Sequence, residues 1–234
     1  MVRVEALTKR FGPLEVLKGV SAEFAPGAVT AVVGPNASGK TTLMKSILGL
    51  VLPDSGQIEV LGEPAINNPR VRDRIGYMPQ DPRFPENVTA REVLALIEEL
   101  RGRPKMRHEE LVERFDLAEH LDRPTRFLSG GTRQKLSAVL AFLFDPEVLI
   151  LDEPTAGLDP LASSRFKDLV KAERDRGKTV ILTSHVMSEL EELAERIVFL
   201  LEGRVVFAGE VEDLRETTGE ARLERAVARM MEGA

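Results

Sequence analysis

The run Gly34-Pro35-Asn36-Ala37-Ser38-Gly39-Lys40-Thr41-Thr42 fits G-x-x-x-x-G-K-[ST] and carries the strongest chemical signal in the chain. Gly34 and Gly39 permit dihedrals and a close approach that a Cβ would obstruct. Backbone N–H groups of such a loop point inward and the following helix adds its positive end, so the loop is built for phosphate. Lys40 places a point charge on β- and γ-phosphates, and the Thr41 hydroxyl is a ligand for Mg²⁺. Further along, Val148-Leu149-Ile150-Leu151-Asp152-Glu153 is an apolar run ending in two carboxylates. Asp152 is placed to hold Mg²⁺, through water, and Glu153 to orient or deprotonate an attacking water. Taken singly, the first run could be a Gly-rich turn and the second a strand capped by acids before Pro154. Together they specify an Mg²⁺-dependent nucleoside triphosphatase.

These groups need a scaffold. Ala28–Val33 is short, apolar and β-branched, as a strand covered on both faces should be; a helix then begins near Gly39 and runs to Leu50. Further buried strands are expected at Val148–Leu151, Thr179–Thr183 and Ile197–Leu201, separated by helical periodicity at Leu161–Arg174 and Met187–Glu195. Strands alternating with helices imply a parallel sheet with helices on both faces. Near the N-terminus, Val2, Val4, Ala6 and then Val20, Ala22, Phe24 alternate with polar residues, the period of half-buried strands. From about Val88 to Phe144 only helical periodicity is visible, over Val88–Leu100, Arg107–Phe115 and Gly131–Phe144, with Pro104 and Pro124 as punctuation. The tail, Val211 to Ala234, reads as two short charged helices.

The chain has 234 residues and a formal net charge of −6, which argues against a general affinity for nucleic acid. There is no cysteine, so disulfides, thiol nucleophiles and thiolate metal sites are excluded. No apolar run reaches the roughly 18 residues needed to cross a bilayer. The opening MVRVEALTKRFG has charges where a signal peptide would have its apolar core. A soluble, cytoplasmic protein is expected.

Upstream of Asp152 lies Leu128-Ser129-Gly130-Gly131-Thr132. With it the chain, from residue 2 to about 209, resembles the ATP-binding subunits of ABC transporters. The family signature is usually L-S-G-G-Q, so Thr132 departs at its last position; the contacts expected of Ser129, Gly130 and Gly131 use a hydroxyl and backbone N–H groups and tolerate the change. Independently, Ser129 is a good N-cap, and a helix starting at Gly130 presents free N–H donors to an anion. The resemblance implies a head-to-tail dimer in which each ATP lies between one chain's Gly34–Thr42 loop and the other chain's Ser129–Gly131. It also implies that Gln80 contacts Mg²⁺ and joins the helical insertion to the core, and that Gly157-Leu158-Asp159 couples the two sites. By the same likeness His185 reaches the γ-phosphate, and Phe11 stacks on adenine with Val16 beside the ring. On its own, His185 reads more often as structural; for Phe11, followed by Gly12 in a turn-like stretch, a core residue is the lesser alternative to the adenine contact. The family usually has Gly where this chain has Ala37. A left-handed backbone there would cost about 1–2 kcal/mol, so the loop is expected to survive with altered dihedrals or weaker nucleotide binding.

The expected fold class is α/β: a P-loop NTPase with a parallel nucleotide-binding sheet, an antiparallel N-terminal β-subdomain and an inserted α-helical subdomain. Residues 1–209 would form the ATP-binding domain, with the helical subdomain at about 82–146, and 210–234 a short helical tail. The resemblance further implies ATP and Mg²⁺ as ligands, a second copy of the chain and a transmembrane permease as partners, and no nucleic acid. Location would be the inner face of the cell membrane, held through the permease. A socket for that partner is expected beside Gln80, on a rim of Pro82, Arg83, an exposed Phe84, Pro85 and the helix from Val88. The stretch Leu128–Leu136 is most similar to ABC-2-type exporter subunits, and within these to the ATPase of the copper-processing system that matures nitrous oxide reductase. With only three histidines (His108, His120, His185) and no clustered ligands, copper chemistry would lie elsewhere. The alternative is a soluble ABC-type ATPase in a non-transport process. DNA-repair members carry long coiled coils or zinc modules between the motif halves, and translation-factor members two cassettes; neither feature is visible. A P-loop kinase is disfavoured by Ser129–Gly131 and by Glu153 beside Asp152.

Overall fold

The chain opens as an antiparallel hairpin of β1 (Val2–Phe11) and β2 (Leu14–Phe24) in the computed structural model, which describes residues 1–102, 104 and 106–232. β3 (Ala28–Val33) then starts a second sheet, and α1 (Lys40–Ile47) follows it. β4 (Ser55–Val60) and β5 (Glu63–Pro64) return to the first sheet, whose order is β2-β1-β4-β5. After the short α2 (Pro69–Arg72) comes β6 (Ile75–Met78), and then three helices: α3 (Ala90–Arg101), α4 (His108–Arg114) and α5 (Gly130–Phe142). The chain re-enters the second sheet as β7 (Val148–Asp152), followed by α6 (Pro160–Asp175), β8 (Thr179–Thr183), α7 (Met187–Leu193) and β9 (Arg196–Leu201). β10 (Arg204–Glu210), α8 (Val211–Thr218) and α9 (Leu223–Glu232) complete it. The six strands run in the order β10-β9-β3-β8-β7-β6, all parallel except β10.

Alternate residues of the parallel strands feed two separate cores. Ala31, Leu151, Leu182 and Phe199 point into one, shared with α5, α6 and the tail helices through Phe142, Phe166, Leu214 and Ala226. Val32, Ile150, Ile181 and Val198 point into the other, against α1 and the antiparallel sheet through Met44, Val4 and Phe24. Burial on both faces is what a continuous apolar strand requires.

Several elements depart from expectation. β4, β5, β6 and β10 were not apparent from periodicity; β6 is only four residues long, and β10 alternates weakly at the sheet edge. Ala6 does not join Val2 and Val4 inside. The register slips between Val4 and Leu7, Ala6 takes φ +46° and is exposed, and Leu7 turns inward instead, as a β-bulge demands. α1 stops at Ile47 rather than Leu50 because a Schellman turn closes it, with the Leu50 N–H on the Lys45 carbonyl at 2.8 Å and the Gly49 N–H on the Ser46 carbonyl at 3.0 Å. Phe84 is half-buried against the larger core, not exposed. Gly233 and Ala234, within the expected tail, lie outside the described residues. No helix among the described residues is long and apolar enough to cross a membrane.

A buried charge cluster ties the helical stretch to the sheet layer. Glu173 on α6 is fully buried and meets Arg107 at 2.5 Å, Arg176 at 3.1 Å and Lys178. Asp145, in the turn before β7, meets Arg176 at 2.8 Å and Lys178. Burial pushes the Asp145 carboxyl up, but the hydrogen bonds from Arg176 and Lys178 outweigh it and hold the group at about 2. Removing one partner of such a cluster leaves uncompensated buried charge. Asp145→Asn keeps a residue that tolerates the φ of +51° found there, so the substitution isolates the charge. It should lower stability at neutral pH by about 3 kcal/mol, or roughly 6–12 °C in Tm. Because the folded-state value lies below the ordinary 3.8, that difference is present above pH 3.8 and should fade as pH falls through about 2. Thermal melts of both proteins across that range check it.

Candidate functional site

The phosphate-binding loop leaves the carboxyl end of β3 and ends in α1. Gly34 has φ +151°, and a Cβ there would lie 2.0 Å from the Leu200 carbonyl oxygen, so the close approach it permits is first of all to the backbone of β9. Ala37 takes φ +64°: the backbone stays left-handed in spite of its Cβ, and the altered dihedrals expected there are not found. Lys40 Nζ donates to the carbonyls of Gly34 at 2.7 Å and Pro35 at 3.0 Å, which holds the ammonium over the loop. Burial pulls its pKa down, and the charges of Glu153 and Asp152 offset that only in part.

An open cavity of about 260 Å³ faces this loop. Asn36 to Thr42 line it together with Leu14 and Val16 from β2, and with Gln80, Asp152, Glu153 and His185 from the strand ends. Asp152, 4% exposed, closes β7 and accepts a 2.6 Å hydrogen bond from Thr183 Oγ1. The Glu153 N–H donates to the same Thr183 oxygen at 3.1 Å, and Glu153 itself takes φ +48°. His185 Nε2 stands 2.9 Å from Glu153 Oε1. Burial, with the Asp152 charge, raises the nearby Tyr77 phenol to about 12, so it stays neutral.

The cavity fits a polyphosphate carrying a hard cation. No side chain caps α1, so its first amides are free to bind an anion, and the buried Ser38 Oγ has no partner. Thr41, Gln80 and Asp152 all line the cavity and offer it oxygen donors, the donor class Mg²⁺ takes. Among the described residues no group of three or more acidic or imidazole side chains could hold a metal unaided, so phosphate oxygens would complete the shell.

Not every expected site residue gathers here. Ser129, Gly131 and Asp159 line a different cavity, also about 260 Å³, with Thr132, Lys135 and Gly157. Ser129 caps α5 by accepting from the Thr132 N–H at 3.0 Å, and Gly130 is the first residue of that helix, with open space beside it. Asp159 caps α6 through the Ala162 N–H at 2.8 Å and pairs with Lys135 at 2.9 Å. Phe11 is 49% exposed at the end of β1, with Lys9 Nζ 5.3 Å from its ring centre, while Leu14 and Val16 form the apolar wall of the first cavity.

Comparison with known proteins gives the family. The family model described as ABC transporter matches residues 17–156. The daunorubicin resistance ATP-binding protein DrrA3 of Streptomyces coeruleorubidus is 38% identical over 228 residues, covering 95% of this chain and 72% of that one. The chain belongs to the ABC transporter family. It is an ATP-binding subunit and an ATPase, related also to the Nod factor export ATP-binding protein I of Ralstonia nicotianae, 34% identical over 92% of this chain and 68% of that one. A solved ATP-binding subunit of an ABC transporter superposes with a TM-score of 0.93 at 29% identity, covering 99% of both chains. A dimeric ATP-binding cassette in a post-hydrolysis state with ADP and Pi superposes at 0.80 with 25% identity, covering 90% of this chain and 98% of that one. These likenesses establish the ABC ATPase fold, with its antiparallel N-terminal sheet, mixed main sheet and helical stretch.

Sequence reasoning missed three contributors to this ABC ATPase site. Leu14 follows the expected aromatic by only a turn, and periodicity does not say which of the two faces the ligand. Thr183 orients Asp152, a role visible only once β7 and β8 are paired at Asp152 and Thr183. Lys135 reads as a solvated charge until its partner Asp159 is placed.

The left-handed Ala37 is already present in the folded chain, so its cost falls on stability rather than on nucleotide binding. Ala37→Gly should raise Tm by roughly 2–8 °C and leave the ATP dissociation constant within about twofold. Calorimetric melting with a nucleotide titration checks both.

Proposed function

We propose that this subunit hydrolyses ATP at a site completed by a second copy of the chain, and that the resulting closure and reopening drive a separate membrane permease. The observation that carries this is the separation of the two cavities: the phosphate loop and Glu153 line one, Ser129 and Gly131 the other. A head-to-tail pair brings one chain's α5 N-terminus to the phosphates held by its partner. The dimeric relative with ADP and Pi supports that arrangement.

Lys40 and the amides of Gly34–Thr42 bind the β- and γ-phosphates. Glu153 orients a water in line with the bond to the leaving oxygen and accepts its proton as the new P–O bond forms and the old one breaks. His185, held 2.9 Å from Glu153, reaches the γ-phosphate, and Phe11 and Val16 hold the base. Mg²⁺, when bound by Thr41, Asp152 and Gln80, neutralises charge on the phosphate oxygens. Loss of the γ-phosphate removes the anion that bridges the two chains, the usual logic of a γ-phosphate switch.

Residues 1–209 serve as the cassette, with a helical subdomain at about 82–146, and 210–234 as its tail. The permease docks at a cavity of about 480 Å³ beside Gln80, lined by Asp81, Pro82, Arg83, Phe84, Arg126 and Arg133. Docking there would place the subunit on the inner face of the membrane. Export is the direction that the name of the Ralstonia relative favours. For the narrower kinship with the copper-processing system, cargo chemistry would belong to other components, since no metal cluster occurs among the described residues.

Glu153→Gln should bind MgATP, shift from monomer to dimer by light scattering and turn over at least about 100-fold more slowly than the unaltered chain. Turnover at the unaltered rate would overturn the assignment of Glu153. In that background, Ser129→Arg should stay monomeric while binding ATP. Loss of ATP binding together with dimerisation would contradict the two-chain site.

A further inference from the structure

The turn that carries Glu153 is gripped from both sides. From one side, Thr155 Oγ1 and Ser184 Oγ both donate to Glu189 on α7, at 2.6 and 3.0 Å. From the other, α5 makes three contacts along seven residues of the turn. Gly131 approaches Gly157 so closely that a Cβ would lie 2.7 Å from its carbonyl oxygen, and Lys135 pairs with Asp159 at 2.9 Å. Between them Gln134, 3% exposed, donates from Nε2 to the carbonyls of Pro154 at 3.2 Å and Glu153 at 3.4 Å. Glu153 needs such support. At φ +48° its backbone is in a region an L-residue with a Cβ occupies only when its surroundings hold it there.

We propose that Gln134 is a positioning residue for Glu153: its side-chain amide fixes the carbonyls of Glu153 and Pro154 and so aims the carboxylate. This rests on the catalytic reading of Glu153 given above. The same helix begins at Ser129, which that reading places on the partner chain's nucleotide. One rigid joint therefore links the helix end that meets the neighbour's ATP to the base that acts on the chain's own ATP. Each chain then aligns its base only when its signature helix is seated, which ties hydrolysis to closure from within one subunit.

The test uses the full chain with Gln134→Met, which keeps length and apolar burial but has no donor, and Gln134→Lys, which restores a donor with no acceptor. Gln134→Met should lower kcat by about 10- to 100-fold while the MgATP dissociation constant stays within about twofold. Gln134→Lys should be clearly faster than Gln134→Met, because it can again donate to both carbonyls. A role in packing alone predicts the reverse order, since a buried ammonium disrupts a core more than a thioether does. The inference is overturned if Gln134→Met turns over at the unaltered rate, if its nucleotide affinity falls in step with kcat, or if Gln134→Lys is no faster. Glu153→Gln measured alongside separates the two readings: unaltered turnover there removes the premise, whereas slow turnover there with a fast Gln134→Met removes only the role of Gln134.

Discussion

Asp152 and Thr183 face each other across the β7–β8 ladder, and the 2.6 Å bond between Thr183 Oγ1 and Asp152 Oδ1 marks where the parallel sheet ends and the chemistry begins. Thr183 also receives the Glu153 N–H, so one hydroxyl orients the Asp152 carboxylate and anchors the backbone of the next acid. That arrangement exists only if β7 and β8 pair in this register. The register in turn is fixed by side chains that must face two cores at once: Leu151 and Leu182 to one side, Ile150 and Ile181 to the other. A slip of one residue would exchange every one of those faces, which is why the register is so strongly specified.

The outer layers follow from the same sheet. α1 covers one face and thereby aims its uncapped N-terminus along the carboxyl end of β3, where the loop and Lys40 sit. α5 and α6 cover the other face, and α5 lays its N-terminus against the turn after Glu153 rather than against the phosphate loop. The second cavity is thus a by-product of where a helix must lie to bury Leu136, Val139 and Phe142. The tail helices finish that core with Leu214 and Ala226, and the N–H of Leu223 reaches Glu191 on α7, so the end of the described chain is docked onto the helix that follows His185.

Much of the site was legible because its chemistry is local. A phosphate loop needs glycines, a lysine and a hydroxyl within nine residues, and Gly34 to Thr42 display them in order. Ala37 was less legible: its Cβ argued for altered dihedrals as one outcome, whereas the backbone keeps a left-handed φ of +64°. The strands β3, β7, β8 and β9 were legible, as each is a short apolar run. β6 and β10 were not, since edge strands need less apolar surface and leave weaker patterns. Ala6 misled because a bulge breaks period-2 alternation without any residue that announces it. Gln134 is the hardest case. A glutamine on a helix reads as solvated, and only the fold brings it beneath carbonyls that lie a strand and a turn away in sequence.

The claim that one site is built from two chains is tested most directly by mixing two disabled subunits. A Lys40→Ala chain lacks a working phosphate loop but keeps Ser129, and a Ser129→Arg chain lacks the signature but keeps Lys40 and Glu153. Each alone should show no ATPase activity above background. Combined in equal amounts, they can pair to form one complete site, and activity should reappear in the mixture. A mixture as inactive as its components would contradict the account.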